Sequence, residues 1–312
     1  MTLAFVFPGQ GSQYVGMGRE LYEQYGEARA IFDQADQTLG FSLKDLCFNG
    51  PAEDLNQTVN TQPAVLTVSV AALAVWKKLG GAAPKAVAGH SLGEYSALIA
   101  AGSLEFGDAV SLVRKRGRYM QEAVPAGEGG MAALIGLSGD GLRELCQKAS
   151  LAGIVEAVNL NSPGQVVIAG DNNGLKAAAE LAKEAKAKCI PLSVSAPFHS
   201  SLMRPAGARL ATDLAGIGVA DPNVPIVANV TADFAETGAE IKDLLIKQVY
   251  SPVRWEESMA RLMESGVDTV LEIGPGKVLS GLMKKINRKI HLANIETPAS
   301  FEKALALVGE VG

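Results

Sequence analysis

The chain holds a serine, a histidine and an inward-facing arginine whose settings suit covalent acyl chemistry. Gly89-His90-Ser91-Leu92-Gly93 has the form G-x-S-x-G and falls between a predicted strand and a predicted helix. A sharp strand-to-helix turn lifts the serine hydroxyl out of the sheet, and the glycines relieve the crowding of that strained backbone. The start of the helix offers free N–H groups and positive dipole to a developing oxyanion. Ser91 is thus the candidate nucleophile for attack on a carbonyl.

A serine hydroxyl needs a base, and three histidines are available: His90, His199 and His291. His90 adjoins Ser91, so its side chain must point away on the same turn. His199 lies in Ala196-Pro-Phe-His-Ser200, just after a strand end, where catalytic side chains tend to be displayed. His291 sits in the alternating segment Ile290–Ile295, which reads as a late strand. Each has the alternative reading of a hydrogen-bonded structural histidine, and His199 leads.

The arginine is found by periodicity. In a helix predicted from Phe106 to about Glu122, Ala109, Leu112, Val113 and Met120 form one apolar stripe, and Arg116 falls within it. Arg114, Lys115 and Arg118 fall on the other side. An inward guanidinium is costly unless it meets an anion, and its planar fork suits a carboxylate. Two partners fit: an internal Asp or Glu, or a free carboxylate on a substrate.

Two glycine-rich runs, Gly9-Gln-Gly-Ser12 and Gly274-Pro-Gly-Lys277, lack the spacing of a phosphate-binding P-loop. The first follows the opening strand. It is either a simple turn or a source of N–H groups for an oxyanion hole.

These residues need a scaffold. Strand-like and helix-like segments alternate in the first half, as a mostly parallel sheet covered by helices requires. Strands are predicted at Leu3–Phe7 and Lys85–Gly89. Helices are predicted from about Thr61, with Pro63 in the first turn, to Gly80, and from Leu92 to about Ala101. Between Gly129 and Ser195 the order becomes strand 131–137, helix 140–150, strand 154–160, strand 165–169, helix 173–188, strand 189–194. A turn at Asn161-Ser-Pro-Gly164 separates the middle strands. This β-α-β-β-α-β series is that of a ferredoxin-like unit. Strands then resume near Ile226–Val230, Thr269–Ile273 and Ile290–Asn294. The expected fold is α/β: a large α/β-hydrolase-like domain with a parallel sheet, residues 1–127 and 196–312, plus a small inserted ferredoxin-like domain, residues 128–195.

Composition narrows the function. With 48% hydrophobic residues in 312, the chain can bury a large core. The longest apolar run, Ala64 to Trp76, is short of the roughly 18 residues of a spanning helix, and the apolar N-terminus lacks a basic leader, so a cytoplasmic protein is expected. Three cysteines, Cys47, Cys146 and Cys189, are widely spaced, without a metal or disulfide pattern; they read as core thiols, and no metal is expected. A net charge of −5 disfavours nucleic acid, although Arg114–Arg118 and Lys284–Lys289 are locally basic.

Six segments in order resemble the malonyl-CoA:acyl carrier protein transacylases of bacterial fatty-acid synthesis: Phe7–Gln13, Gly89–Glu94, Arg116-Gly117, Phe198-His199-Ser200, Gln248 before Ser251–Trp255, and Glu272–Gly276. The resemblance implies an acyltransferase in which Ser91 is acylated and His199 is the base, oriented by the backbone carbonyl of Gln248. It implies an oxyanion hole from the N–H groups of Gln10 and Leu92, Arg116 as the clamp for the malonyl carboxylate, and Phe198 as the residue that disfavours α-methyl substrates. The implied partners are malonyl-CoA and acyl carrier protein, with no further cofactor and a monomeric chain. The Lys284–Lys289 segment is a candidate docking site for the acidic carrier. The rival reading is a serine esterase or thioesterase using Ser91; its usual chain order favours His291. A second rival is a non-catalytic carrier-binding subunit of the same fold.

Overall fold

A computed structural model describes residues 2–125, 127–194 and 196–309. The expected domain ends at Ser195 and Gly312 lie outside the described residues. The strands are β1 (Leu3–Phe7), β2 (Ala86–Gly89), β3 (Gly129–Ile135), β4 (Val155–Ser162), β5 (Gln165–Asp171), β6 (Lys188–Pro191), β7 (Ile226–Val227), β8 (Phe234–Ala235), β9 (Thr269–Ile273) and β10 (His291–Ile295).

The larger sheet has the order β10-β9-β1-β2-β7-β8. All its pairs are parallel except the β7–β8 edge. Every residue of β1, β2 and β9 is buried, because helices cover both faces and leave no polar alternation. Leu3, Phe5 and Phe7 enter one core with Phe32, Trp76 and Leu98; Ala4 and Val6 enter the other with Trp255 and Met259. The Thr58–Lys78 helix runs through the first core. It is long and apolar enough to cross a membrane, but 83% of its apolar window is buried in the protein.

That helix begins before the expected Thr61. The Gln57 carbonyl already accepts the N–H groups of Asn60 and Thr61, both at 2.8 Å, and the Thr61 hydroxyl donates to Leu55 O at 2.6 Å instead of capping. Pro63 therefore sits inside the helix. Between Phe7 and Thr61 the sequence suggested no elements, yet short helices at Arg19–Gln24, Gly26–Leu39, Leu43–Asn49 and Ala52–Leu55 pack there. β7 is shorter than the expected Ile226–Val230. At Ala228 the chain turns, exchanging bonds with Asp233 O and Ala232 N, and pairs back as β8.

The smaller sheet has the order β4-β5-β3-β6, antiparallel throughout. The Gly139–Ala149 and Asn172–Glu184 helices cover one face, burying Leu134, Leu142, Leu145, Ile168 and Ala178. This is the split β-α-β arrangement the element order requires. β6 ends at Pro191, short of the expected Val194, because the Val194 N–H turns back to Leu192 O at 2.8 Å. The two sheets are joined through Val253, which exchanges backbone bonds with Val158 O at 2.8 Å and Leu160 N at 2.9 Å.

Candidate active site

Ser91 stands just past the end of β2 with φ of 51°, a left-handed backbone held at a non-glycine residue. Its neighbours make the turn possible. A Cβ on Gly89 would lie 1.9 Å from the Gly93 carbonyl, and one on Gly93 would lie 2.0 Å from Phe7 O. The side chain of Asn229, from the turn after β7, closes the elbow: it accepts the Ser91 N–H at 2.7 Å and donates to Gly89 O at 2.7 Å.

His199 reaches the serine from the loop after the small sheet. Its Nε2 lies 2.7 Å from Ser91 Oγ, and its Nδ1 lies 2.7 Å from the carbonyl oxygen of Gln248. Gln248 is the last residue of the Gly238–Gln248 helix, where carbonyls lack partners within the helix. A carbonyl can only accept, so the proton sits on Nδ1 and the Nε2 lone pair faces the serine hydroxyl. Burial and the nearby Arg116 charge push the His199 pKa down to about 3, which leaves a neutral imidazole at physiological pH.

Arg116 points inward and is 1% exposed. Its Nη1 donates to Gln62 Oε1 at 2.8 Å; its Nη2 donates to Gln248 Oε1 at 2.9 Å and to Ser91 Oγ at 3.2 Å. These acceptors are neutral, and among the described residues no carboxylate lies within ion-pair distance of the guanidinium. Its Nε meets no acceptor among the described residues. Of the two partners the helix periodicity allowed, the internal ion pair is not formed. Arg114 stacks on Phe41 and Lys115 pairs with Asp213, both on the outer side.

The Gly9–Gln10 turn presses on the elbow, since a Cβ on Gly9 would meet His90 O at 2.4 Å. Neither the Gln10 nor the Leu92 backbone N–H meets an acceptor among the described residues. Ser91, Leu92, His199, Arg116, Gln10 and Phe198 all border one cavity of about 100 Å³. Met120, Met131, Leu192 and Val194 supply its apolar walls, three of them from the small-sheet side. A larger cavity of about 850 Å³ lies between the Gly139–Ala149 helix and Glu256–Ala260, away from the serine and histidine.

His291 is not part of this site. Leu3, Thr269 and His291 stand in register at the starts of their strands, whereas Ser91 follows Gly89, which pairs with Phe7 at the strand ends. Four residues of strand, about 13 Å, separate the two levels. His90 turns away from the hydroxyl, with Nε2 2.8 Å from Asn161 Oδ1 on β4. The sequence reading gave no role to Gln62, Glu94 or Asn229. Glu94 stood in a motif already singled out; Gln62 and Asn229 gave no signal, because only folding brings them to Arg116 and Ser91.

A serine hydroxyl on a strained turn, a neutral imidazole oriented by a carbonyl, and two open N–H donors make up the equipment of a serine-dependent acyl-transfer enzyme. The chain belongs to the acyl transferase domain family, whose model matches residues 4–304. It is 52% identical over 310 residues to the malonyl CoA-acyl carrier protein transacylase of Bacillus subtilis (strain 168), covering 99% of this chain and 98% of that one. Its fold superposes on the acyl-carrier-protein S-malonyltransferase of Burkholderia pseudomallei 1710b with a TM-score of 0.96 at 49% identity, covering 98% of this chain and 99% of that one. A third similar structure, at 44% identity and a TM-score of 0.96 over 98% and 100% of the two chains, is a malonyl-transacylase in complex with a type II polyketide acyl-carrier protein.

Proposed function

We propose that the chain transfers a malonyl group from malonyl-CoA to the pantetheine thiol of an acyl carrier protein, through a malonyl ester on Ser91, and so supplies fatty-acid synthesis. The observation that carries this reading is the convergence on one hydroxyl of a base 2.7 Å away and a guanidinium 3.2 Å away that has no directly paired carboxylate among the described residues. The first defines a nucleophile. The second selects an acyl group that ends in a carboxylate.

Ser91 Oγ attacks the thioester carbonyl as His199 Nε2 takes its proton. The N–H groups of Gln10 and Leu92 hold the oxyanion; losing one such donor costs on the order of 3 kcal/mol in the barrier. Collapse breaks the carbon–sulfur bond, and the thiolate of CoA leaves with the proton from His199. The carrier's thiol then gives its proton to His199, attacks the ester and reverses the steps, giving ping-pong kinetics without a cofactor. Arg116 holds the malonyl carboxylate, and Phe198, 6% exposed beside His199, leaves little space for an α-methyl group. Ser91, His199, Arg116 and Gln248 come from one copy of the chain, so a monomer in the cytoplasm suffices. The two sheets support a division into residues 1–127 with 196–312, and 128–195. A serine hydrolase built on His291 is disfavoured by the register of β10.

The test is intact-protein mass spectrometry after mixing with equimolar malonyl-, methylmalonyl- and acetyl-CoA, before and after adding pantetheinylated carrier protein. A malonyl adduct on the Ser91 peptide, cleared by the carrier, is expected. Free acids accumulating without an adduct would move the assignment to a hydrolase.

A further inference from the structure

Glu94 takes no part in those steps, yet it is a carboxyl only 2% exposed, one helical turn behind the nucleophile. Burying such a group is costly unless its partners are good ones. No cation lies within ion-pair distance among the described residues; instead one oxygen, Oε2, accepts two N–H bonds, from Asn229 N at 2.9 Å and from Gln248 Nε2 at 3.1 Å. Both donors lead to the reacting atoms. Asn229 closes the Ser91 elbow from both sides.

Gln248 is the busier partner. Its backbone carbonyl meets His199, its Nε2 also donates to Ser91 O at 2.9 Å, and its Oε1 accepts from Arg116. A side-chain amide has a donor end and an acceptor end and can be turned over. With Glu94 and Ser91 O both offering acceptors, the NH₂ end must face them, which leaves Oε1 for the guanidinium. Turned the other way, the amide would set N–H groups against N–H groups.

We propose that Glu94 is a positioning residue: by accepting from Gln248 and Asn229 it sets which end of the Gln248 amide meets Arg116, and so aims the carboxylate clamp at Ser91. Burial, opposed by these N–H bonds and the Arg116 charge, raises the Glu94 pKa to about 7. Because both bonds use Oε2, the other oxygen can carry a proton without disturbing them. Glu94→Gln therefore keeps the needed acceptor, whereas Glu94→Leu fills the space and removes it.

This inference rests on the acyl-transfer reading of Ser91, so the wild type is the first arm: absence of its malonyl ester overturns that reading itself. Rapid mixing then measures ester formation from malonyl-CoA and acetyl-CoA in Glu94→Leu, Glu94→Gln, Gln248→Ala and the Glu94→Leu/Gln248→Ala double variant. Glu94→Leu is expected to slow malonyl ester formation about a hundredfold, the scale of a small misplacement of reacting groups, and to narrow the malonyl-over-acetyl ratio. Glu94→Gln keeps both, and Glu94→Leu adds little on top of Gln248→Ala. A folded Glu94→Leu protein with the wild-type ratio, or full additivity with Gln248→Ala, overturns the proposal. If Glu94→Leu does not fold, Glu94→Asp, which withdraws the acceptor by one methylene, takes its place; an unchanged ratio there overturns it equally.

Discussion

The two sheets differ in what their strands are free to do. In the parallel sheet β1, β2 and β9 are buried on both faces, so chemistry is confined to the strand ends, where Ser91 and the Gly9–Gln10 turn emerge side by side. In the antiparallel sheet one face packs on its own helices, while Met131 on the inner strand β3, Asn159 on the edge strand β4, and Leu192 and Val194 just after β6 border the cavity. The polar groups nearest the nucleophile come from the first region and its loops; the second gives shape. The division is not complete: Arg116 and part of the apolar wall, Met120 and Phe198, come from the first region, and the second adds Met131, Leu192 and Val194 to that wall.

The sharpest test of that contrast is the base. His199→Ala is expected to lower malonyl-Ser91 formation by about 10²–10⁴-fold, the usual contribution of a positioned general base, while His291→Ala leaves the rate unchanged. Stopped-time mass spectrometry of the Ser91 peptide checks both. With the His199 pKa held near 3, the imidazole stays neutral as pH falls through 6.5, so wild-type ester formation should show no base limb there. A decline centred near 6.5 would mean that the histidine is not desolvated as its burial requires.

A smaller effect is expected from the cation. Arg116→Ala should weaken malonyl transfer while relatively favouring acetyl-CoA, because it removes a partner that only a carboxylate-bearing acyl group can use. Competition between the two thioesters reads it directly, and an unchanged preference would end the carboxylate-clamp assignment. The smallest effect belongs where the two regions meet. Lys285 on the Val278–Ile286 helix reaches Gln165 at the start of β5, at 2.6 Å. Lys284→Glu with Lys285→Glu should raise the KM for carrier protein and leave acylation by malonyl-CoA untouched. Unaltered carrier kinetics would remove this face as the docking site.

Much of the large sheet was legible in the sequence because uninterrupted apolar strands and a glycine-flanked serine leave few alternatives. The small sheet was legible through its element order. The early helices between Arg19 and Leu55 were less so: those starting at Arg19 and Gly26 follow Gly18 and Tyr25, which make no side-chain cap bond, and only Leu43–Asn49 among the first three has a capping side chain, Ser42, which accepts from Asp45 N. Arg116 could be turned inward on paper because a helix repeats every 3.6 residues. What it would meet could not, since Gln62 and Gln248 lie 54 and 132 positions away along the chain.

The turn at Ser91, the inward face of Arg116 and the two kinds of sheet could be read from the chain, since each follows from local spacing and periodicity. Folding adds what local spacing cannot state: which histidine stands 2.7 Å from Ser91 Oγ, that its Nδ1 meets the Gln248 carbonyl oxygen, and that among the described residues no carboxylate pairs directly with the Arg116 guanidinium. The physical reason is that hydrogen-bond partners are chosen across loops and between elements, at distances of a few ångströms that no local pattern encodes.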